Sequence, residues 1–310
     1  MKRTALAALS AAALALAACS SGGGNATPTP TESASAFAVP SAPEAPQVAV
    51  VDKPMFEVTG DKGTAPELSY SGDAPTELQR YTIDANPEGK EVSDTDVVLA
   101  QYHGQVWNGD VFDSSYQRGA PAAFSLNGVI PGWKFGLKGA RVGERVALSI
   151  PSAQGYPQGT PDGKIKAGDT ITFVVEILDA VAADTPAPDA GAQVKDPKEL
   201  NLDVAASDGV LSGVTVAEGT EAPTEQKLEK LTEGTGEKEI TAESQFVVRV
   251  AAGFYEADAP QRPAEVIVSN AKALPQTVGA KAGSRFALFS PKSQQGPAQV
   301  LVFDVLKVFE

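Results

Sequence analysis

The sequence predicts an α+β protein, on three observations. Short stretches rich in Val, Ile, Leu and aromatic residues, partly alternating and bounded by Gly, Pro and Asp, occupy residues 96–106, 144–150 and 170–180 and read as strands. One brief helix is predicted over 133–137, entered through Pro131-Gly132 and stopped near Gly139. The pattern then returns later in the chain, which points to a duplicated unit. Each copy is expected to be an antiparallel sheet wrapped over a short α-helix.

Residues 1–18 read as an export signal. Lys2 and Arg3 precede an apolar run from Ala5 to Ala18, too short for a spanning helix, which needs roughly 20 apolar residues. Leu16-Ala17-Ala18-Cys19 resembles the bacterial lipobox, in which the cysteine is lipidated and becomes the first mature residue. Cys19 is the chain's single cysteine, so an internal disulfide is excluded. Residues 19–50, rich in Ser, Gly, Ala, Thr and Pro, read as a flexible tether. The expected location is therefore extracytoplasmic, lipid-anchored to the cell membrane through Cys19.

The formal net charge is −14, and loss of Lys2 and Arg3 with the signal makes it more negative. Such an acidic balance excludes nucleic acid as a partner, because phosphate binding needs clustered Lys and Arg. The remaining chain is long enough for two domains. They are placed at 51–182 and 198–310, with a linker at 183–197 where Ala, Asp, Pro and Gly dominate. Three echoes in matching order support the duplication. Residues 73–77 (DAPTE) return at 221–225 (EAPTE), 139–148 (GARVGERVAL) at 279–288 (GAKAGSRFAL), and 172–178 in pattern at 300–306.

The chemistry is concentrated in Val111-Phe112-Asp113-Ser114-Ser115-Tyr116 and Val129-Ile130-Pro131-Gly132-Trp133. Large rings and one carboxylate among turn residues suggest an aromatic pocket with a single polar handle, suited to holding a peptide. Phe112 and Trp133 taken singly also suit an ordinary core, and Asp113 also suits a turn. His103, the only histidine, follows Tyr102 on a strand, so alternation turns it to the opposite face. No metal site or cofactor is expected from one His and one lipidated Cys.

In family order, the first copy carries Tyr102 before a glycine, the 109–115 run GDVFDSS, Phe124-Ser125-Leu126, the 129–133 run VIPGW, Gly139 to Gly143, Tyr156 and Phe173. On these residues it resembles the FKBP-type peptidyl-prolyl cis-trans isomerases. The resemblance implies a site formed by Tyr102, Phe112, Asp113, Val129, Ile130, Trp133, Tyr156 and Phe173, with Trp133 as its floor. It further implies isomerase activity on X-Pro bonds, no cofactor, proline-containing segments of exported proteins as partners, and macrolide inhibitors as ligands. Three departures bear on substrate preference and inhibitor binding: Ala122 is small, 152–155 lacks a bulky residue ahead of Tyr156, and Asn127-Gly128 makes a tight connection to Val129. The alternative function is a non-catalytic peptide-binding or chaperone-like lipoprotein.

The second copy is expected to be a degenerate FKBP-like domain. With Gly104 set against Gly253 and Gly143 against Gly283, the stretch that would carry Phe112 and Asp113 is shortened. The loop carrying Tyr156 is missing. In this alignment Ala251 stands for Tyr102, Ala273 for Trp133 and Leu301 for Phe173.

Overall fold

Seventeen strands and two short α-helices make up a computed structural model that describes residues 45–309 apart from Asp189, Ala257, Asp258, Pro260, Gln261 and Gln295. The expected signal, Cys19 and most of the tether lie outside the described residues. The first half contains β1 (Ala49–Val50), β2 (Glu57–Thr59), β3 (Glu67–Ser69), β4 (Gln79–Asp84), β5 (Val97–Val106), β6 (Val111–Ser114), α1 (Ser115–Arg118), β7 (Ala122–Ser125), α2 (Pro131–Leu137), β8 (Arg145–Ile150) and β9 (Ile171–Val181). Its main sheet runs β1-β4-β8-β9-β5-β6, with β7 also paired to β5. All pairings in it are antiparallel except β1 with β4.

The second half contains β10 (Ala190–Gln193), β11 (Leu202–Ser207), β12 (Val210–Val216), β13 (Lys227–Gly234), β14 (Gln245–Phe254), β15 (Glu265–Asn270), β16 (Arg285–Ser290) and β17 (Gln299–Phe309). Its main sheet runs β10-β13-β16-β17-β14-β15. The register of β4-β8-β9-β5 is repeated in β13-β16-β17-β14. Arg145 lies opposite Glu176 as Arg285 lies opposite Asp304. Gly143 N–H donates to Ile177 O at 2.7 Å, and Gly283 N–H to Val305 O at 2.8 Å. A hairpin covers the back of each sheet: β2–β3 on the first, through Phe56, Ala147 and Val174, and β11–β12 on the second, through Leu211, Ala287 and Val302.

Two boundaries differ from the sequence reading. The tether expected to end at 50 already contributes β1, because Ala49 and Val51 N–H donate to Leu78 and Arg80 O. The linker expected at 183–197 contributes β10, paired with β13, and the Arg249 guanidinium fixes its start by donating to Ala183 and Thr185 carbonyls. Low apolar content did not signal these pieces, since backbone groups and one distant side chain hold them.

The register also corrects one alignment. Gly104 lies opposite Phe173 and Ala252 opposite Leu301, so Val250, rather than Ala251, corresponds to Tyr102. Ala251 corresponds instead to His103 on the back of the sheet, where it packs under the β11–β12 hairpin.

The inner faces are filled in opposite ways. In the first half Tyr102 faces the small Val175 and Val146, and a helix lies beneath. In the second Val250 faces Phe303 and Phe286, whose stacked rings lie 5.3 Å apart. Only a 3-10 turn, Pro275–Thr277, lies in the position of α2.

Helix α2 starts at Pro131, whose missing N–H costs nothing in a first turn, and the Ile130 carbonyl accepts from Trp133 and Lys134 N–H. Gly132 allows it to lie on the sheet, since a Cβ there would stand 2.2 Å from Ile150 Cγ2. Gly139, at φ 77°, follows its end. This close approach sets Trp133 against the inner face.

Candidate functional site

Trp133 is almost wholly buried, and three rings meet it. Tyr102 from β5 lies 5.4 Å away at 89°, Phe124 from β7 5.1 Å at 62°, and Phe173 from β9 5.2 Å at 86°. Phe112 from β6 stands edge-on to Phe173 at 5.4 Å. Edge-to-face contacts of this kind set electropositive ring edges against electronegative faces and fix each ring's orientation. Strand alternation explains the set: Tyr102 and Gly104 share the inner face of β5, and Gly104 leaves room for Phe112 and Phe173.

Above these rings lies a cavity of about 770 Å³, within the range of small-ligand and peptide sites. Tyr102, Phe112, Asp113, Val129, Ile130, Trp133, Tyr156 and Phe173, all eight residues singled out from sequence, line it. Phe124, Thr160, Asp162, Lys164 and Ile165 also line it and were missed. Phe124 was legible in part, as the ring of the Phe124-Ser125-Leu126 marker; the rim residues follow from the course of the 157–170 loop, which carries no periodic pattern.

The polar handle is a three-residue network. Tyr102 Oη–H donates to Asp113 Oδ2 at 2.6 Å. Arg118 pairs with Asp113 Oδ1 and donates to Tyr102 Oη, its guanidinium 5.1 Å from the Tyr102 ring centroid. Sequence reasoning missed Arg118, because only the turn of α1 folds it back over β5. Burial, and then the hydrogen bond to Asp113, push the Tyr102 hydroxyl up to about 12. Burial and the Asp113 charge raise Tyr156 as well. The Tyr156 hydroxyl and the Ile130 N–H make no hydrogen bond among the described residues, and both residues line the cavity.

His103 lies outside the cavity, opposite Ser114 and Val174, and burial lowers its imidazole pKa. Among the described residues no group of three or more His, Cys, Asp or Glu side chains could hold a metal ion.

Fold and site together describe an antiparallel sheet wrapped on a short helix, with a non-covalent peptide-sized aromatic cavity between them. Residues 88–178 match the family model of the FKBP-type peptidyl-prolyl cis-trans isomerases. The chain is 39% identical over 113 residues to the FKBP-type peptidyl-prolyl cis-trans isomerase FkpA of Escherichia coli K12, covering 36% of this chain and 40% of that protein. It is 45% identical over 85 residues to the peptidyl-prolyl cis-trans isomerase FKBP15-1 of Arabidopsis thaliana, covering 27% of this chain and 56% of that one. The crystal structure of FkpA from Escherichia coli is 38% identical, covers 35% of this chain and 50% of that chain, and has a TM-score of 0.32. The chain thus spans about half the length of the curated relatives it matches.

Proposed function

We propose that this protein is a peptidyl-prolyl cis-trans isomerase that acts on X-Pro bonds of exported proteins by stabilising the twisted amide in its aromatic cavity. The observation that carries the reading is the ring cluster on Trp133, opening toward one carboxylate that Tyr102 and Arg118 hold in place. Rotation about an X-Pro amide faces a barrier of about 18–20 kcal/mol because resonance flattens the bond. The planar form separates more charge than the twisted one, so transfer from water into an apolar cavity penalises the ground state more than the transition state. No bond to the enzyme forms and no proton moves.

In this scheme Trp133, Phe112, Phe173 and Tyr102 hold the proline ring. Ile130 N–H and the Tyr156 hydroxyl donate to substrate carbonyls, and Asp113 lies against the twisted amide. Lipid on Cys19 and the 19–50 tether would hold the enzyme at a membrane, facing its exported substrates. We read the second half as a duplicate of the first that kept the strand register and lost the cavity, with Val250, Ala273 and Leu301 where the rings would stand.

The test is a proline-peptide isomerisation assay on the full chain, Trp133→Ala and Asp113→Ala, with folding checked by circular dichroism. Catalysis by the wild type and its loss in both folded variants is the expected result. A folded wild type with no rate above background refutes the enzyme and leaves the peptide-binding reading.

A further inference from the structure

The two halves touch through Val97, Val181, Val247, Val266, Leu306 and Phe309, within a single compact unit that begins at Pro46. One polar side chain crosses this boundary in an unusual way. Gln245, at the start of β14, accepts from Ala123 N–H through Oε1 at 3.2 Å and donates through Nε2 to Pro121 O at 3.2 Å. These two backbone groups, two residues apart, flank Ala122 at the start of β7, on the side away from β5. A residue of a neighbouring parallel strand would donate to residue i−1 and accept from residue i+1. The Gln245 amide therefore acts as a single rung of β-ladder and closes an edge that would otherwise stay unpaired.

The strand it closes is a wall of the cavity. Ala123 turns toward the second half, where it packs against the interface cluster. Phe124 turns the other way, onto Trp133 at 5.1 Å and Tyr102 at 5.4 Å. The segment ahead of β7 leads back to Arg118, which holds Asp113 and Tyr102. Fixing residues 121–123 thus sets both a ring and the approach to the polar network. By register, the first-half counterpart of Gln245 is the buried Val97, so the first half has no amide at this position. We infer that Gln245 is a positioning residue for the aromatic cavity, acting through β7, and that the second half serves as a brace for the substrate site. This rests on the prolyl-substrate reading above for its kinetic consequence, and on β7 alone for its structural one.

Full-length Gln245→Leu keeps the bulk and removes both hydrogen bonds. Full-length Lys307→Ala breaks an ion pair with Asp179 at the same boundary without touching β7. In Gln245→Leu the amides of residues 122–125 are expected to exchange about tenfold faster and Trp133 emission to shift. KM for a proline peptide is expected to rise about threefold to tenfold, with kcat within about twofold of wild type. Lys307→Ala is expected to leave all three readouts unchanged. Wild-type exchange over 122–125 and wild-type KM in Gln245→Leu would overturn the inference, as would an equal rise of KM in Lys307→Ala. Should the wild type lack isomerase activity, the functional proposal falls, and amide exchange with Trp133 emission still decides the role of Gln245.

Discussion

Gly104 is the position where the least added matter should do the most to the cavity. A Cβ there would lie 2.6 Å from Phe173 Cε1 and 2.8 and 3.0 Å from Phe112 Cζ and Cε2. Non-bonded carbons settle at about 3.5–4.0 Å, so Gly104→Ala forces a displacement of roughly 1 Å. Phe173 is wedged against Trp133 and nearly buried, whereas Phe112 is only partly buried, so Phe112 should give way into the cavity. Overpacking of this kind costs about 1–3 kcal/mol of stability, which urea unfolding will read. Because the displaced ring occupies the substrate's space, kcat/KM for a proline peptide should fall about 10-fold to 100-fold, or about 1.4–2.7 kcal/mol. Adding Phe112→Leu removes the overlaps with Phe112 but leaves the one with Phe173, and should restore part of the stability without restoring the rate. A folded Gly104→Ala with wild-type kcat/KM would refute the packing argument. The second half supports it: at the matching register Ala252 is tolerated, opposite Leu301 rather than a phenylalanine.

Tyr102→Phe removes the 2.6 Å donor to Asp113 while leaving the ring; kcat/KM should fall about tenfold with stability changed by about 1 kcal/mol, and an unchanged rate would remove this hydroxyl from the site. Glu176→Gln strands the buried Arg145, whose Nε lies 3.4 Å from the carboxylate, and weakens the two contacts from Gly63 N–H. Breaking a buried pair costs about 3–5 kcal/mol, so a urea midpoint equal to wild type would contradict the burial described. At alkaline pH, Tyr70 and Tyr102 are both held up at about 12, chiefly by burial, against an ordinary value of 10.0. Their folded-state values lie above the unfolded ones, so their contribution is complete below about pH 10. It is lost as pH rises to about 12, because the unfolded chain gives up its phenolic protons first. Phenolate absorbance in native and urea-unfolded protein checks this; coincident titrations would refute it.

The sequence by itself determined three strands of the first half, β5, β8 and β9, to within a residue or so, the helix that carries Trp133 and the eight cavity residues. Those signals are local: β-rich runs between turn residues, Pro-Gly at a helix start, and a motif whose rings need no distant partner to be recognised. Only the tertiary structure decided the rest. Arg118 joins the site because a four-residue helix folds it over Tyr102, and Phe124 faces Trp133 because β7 pairs with β5. The counterpart of Tyr102 in the second half is Val250 because hydrogen-bond register, rather than a shared glycine, fixes which residues face inward. Gln245 carried no signal in the chain, since its role depends on meeting the backbone of residues 121 and 123 across a boundary. Side-chain type and spacing are written in the sequence, whereas the pairing of edges far apart along the chain exists only once both halves have folded.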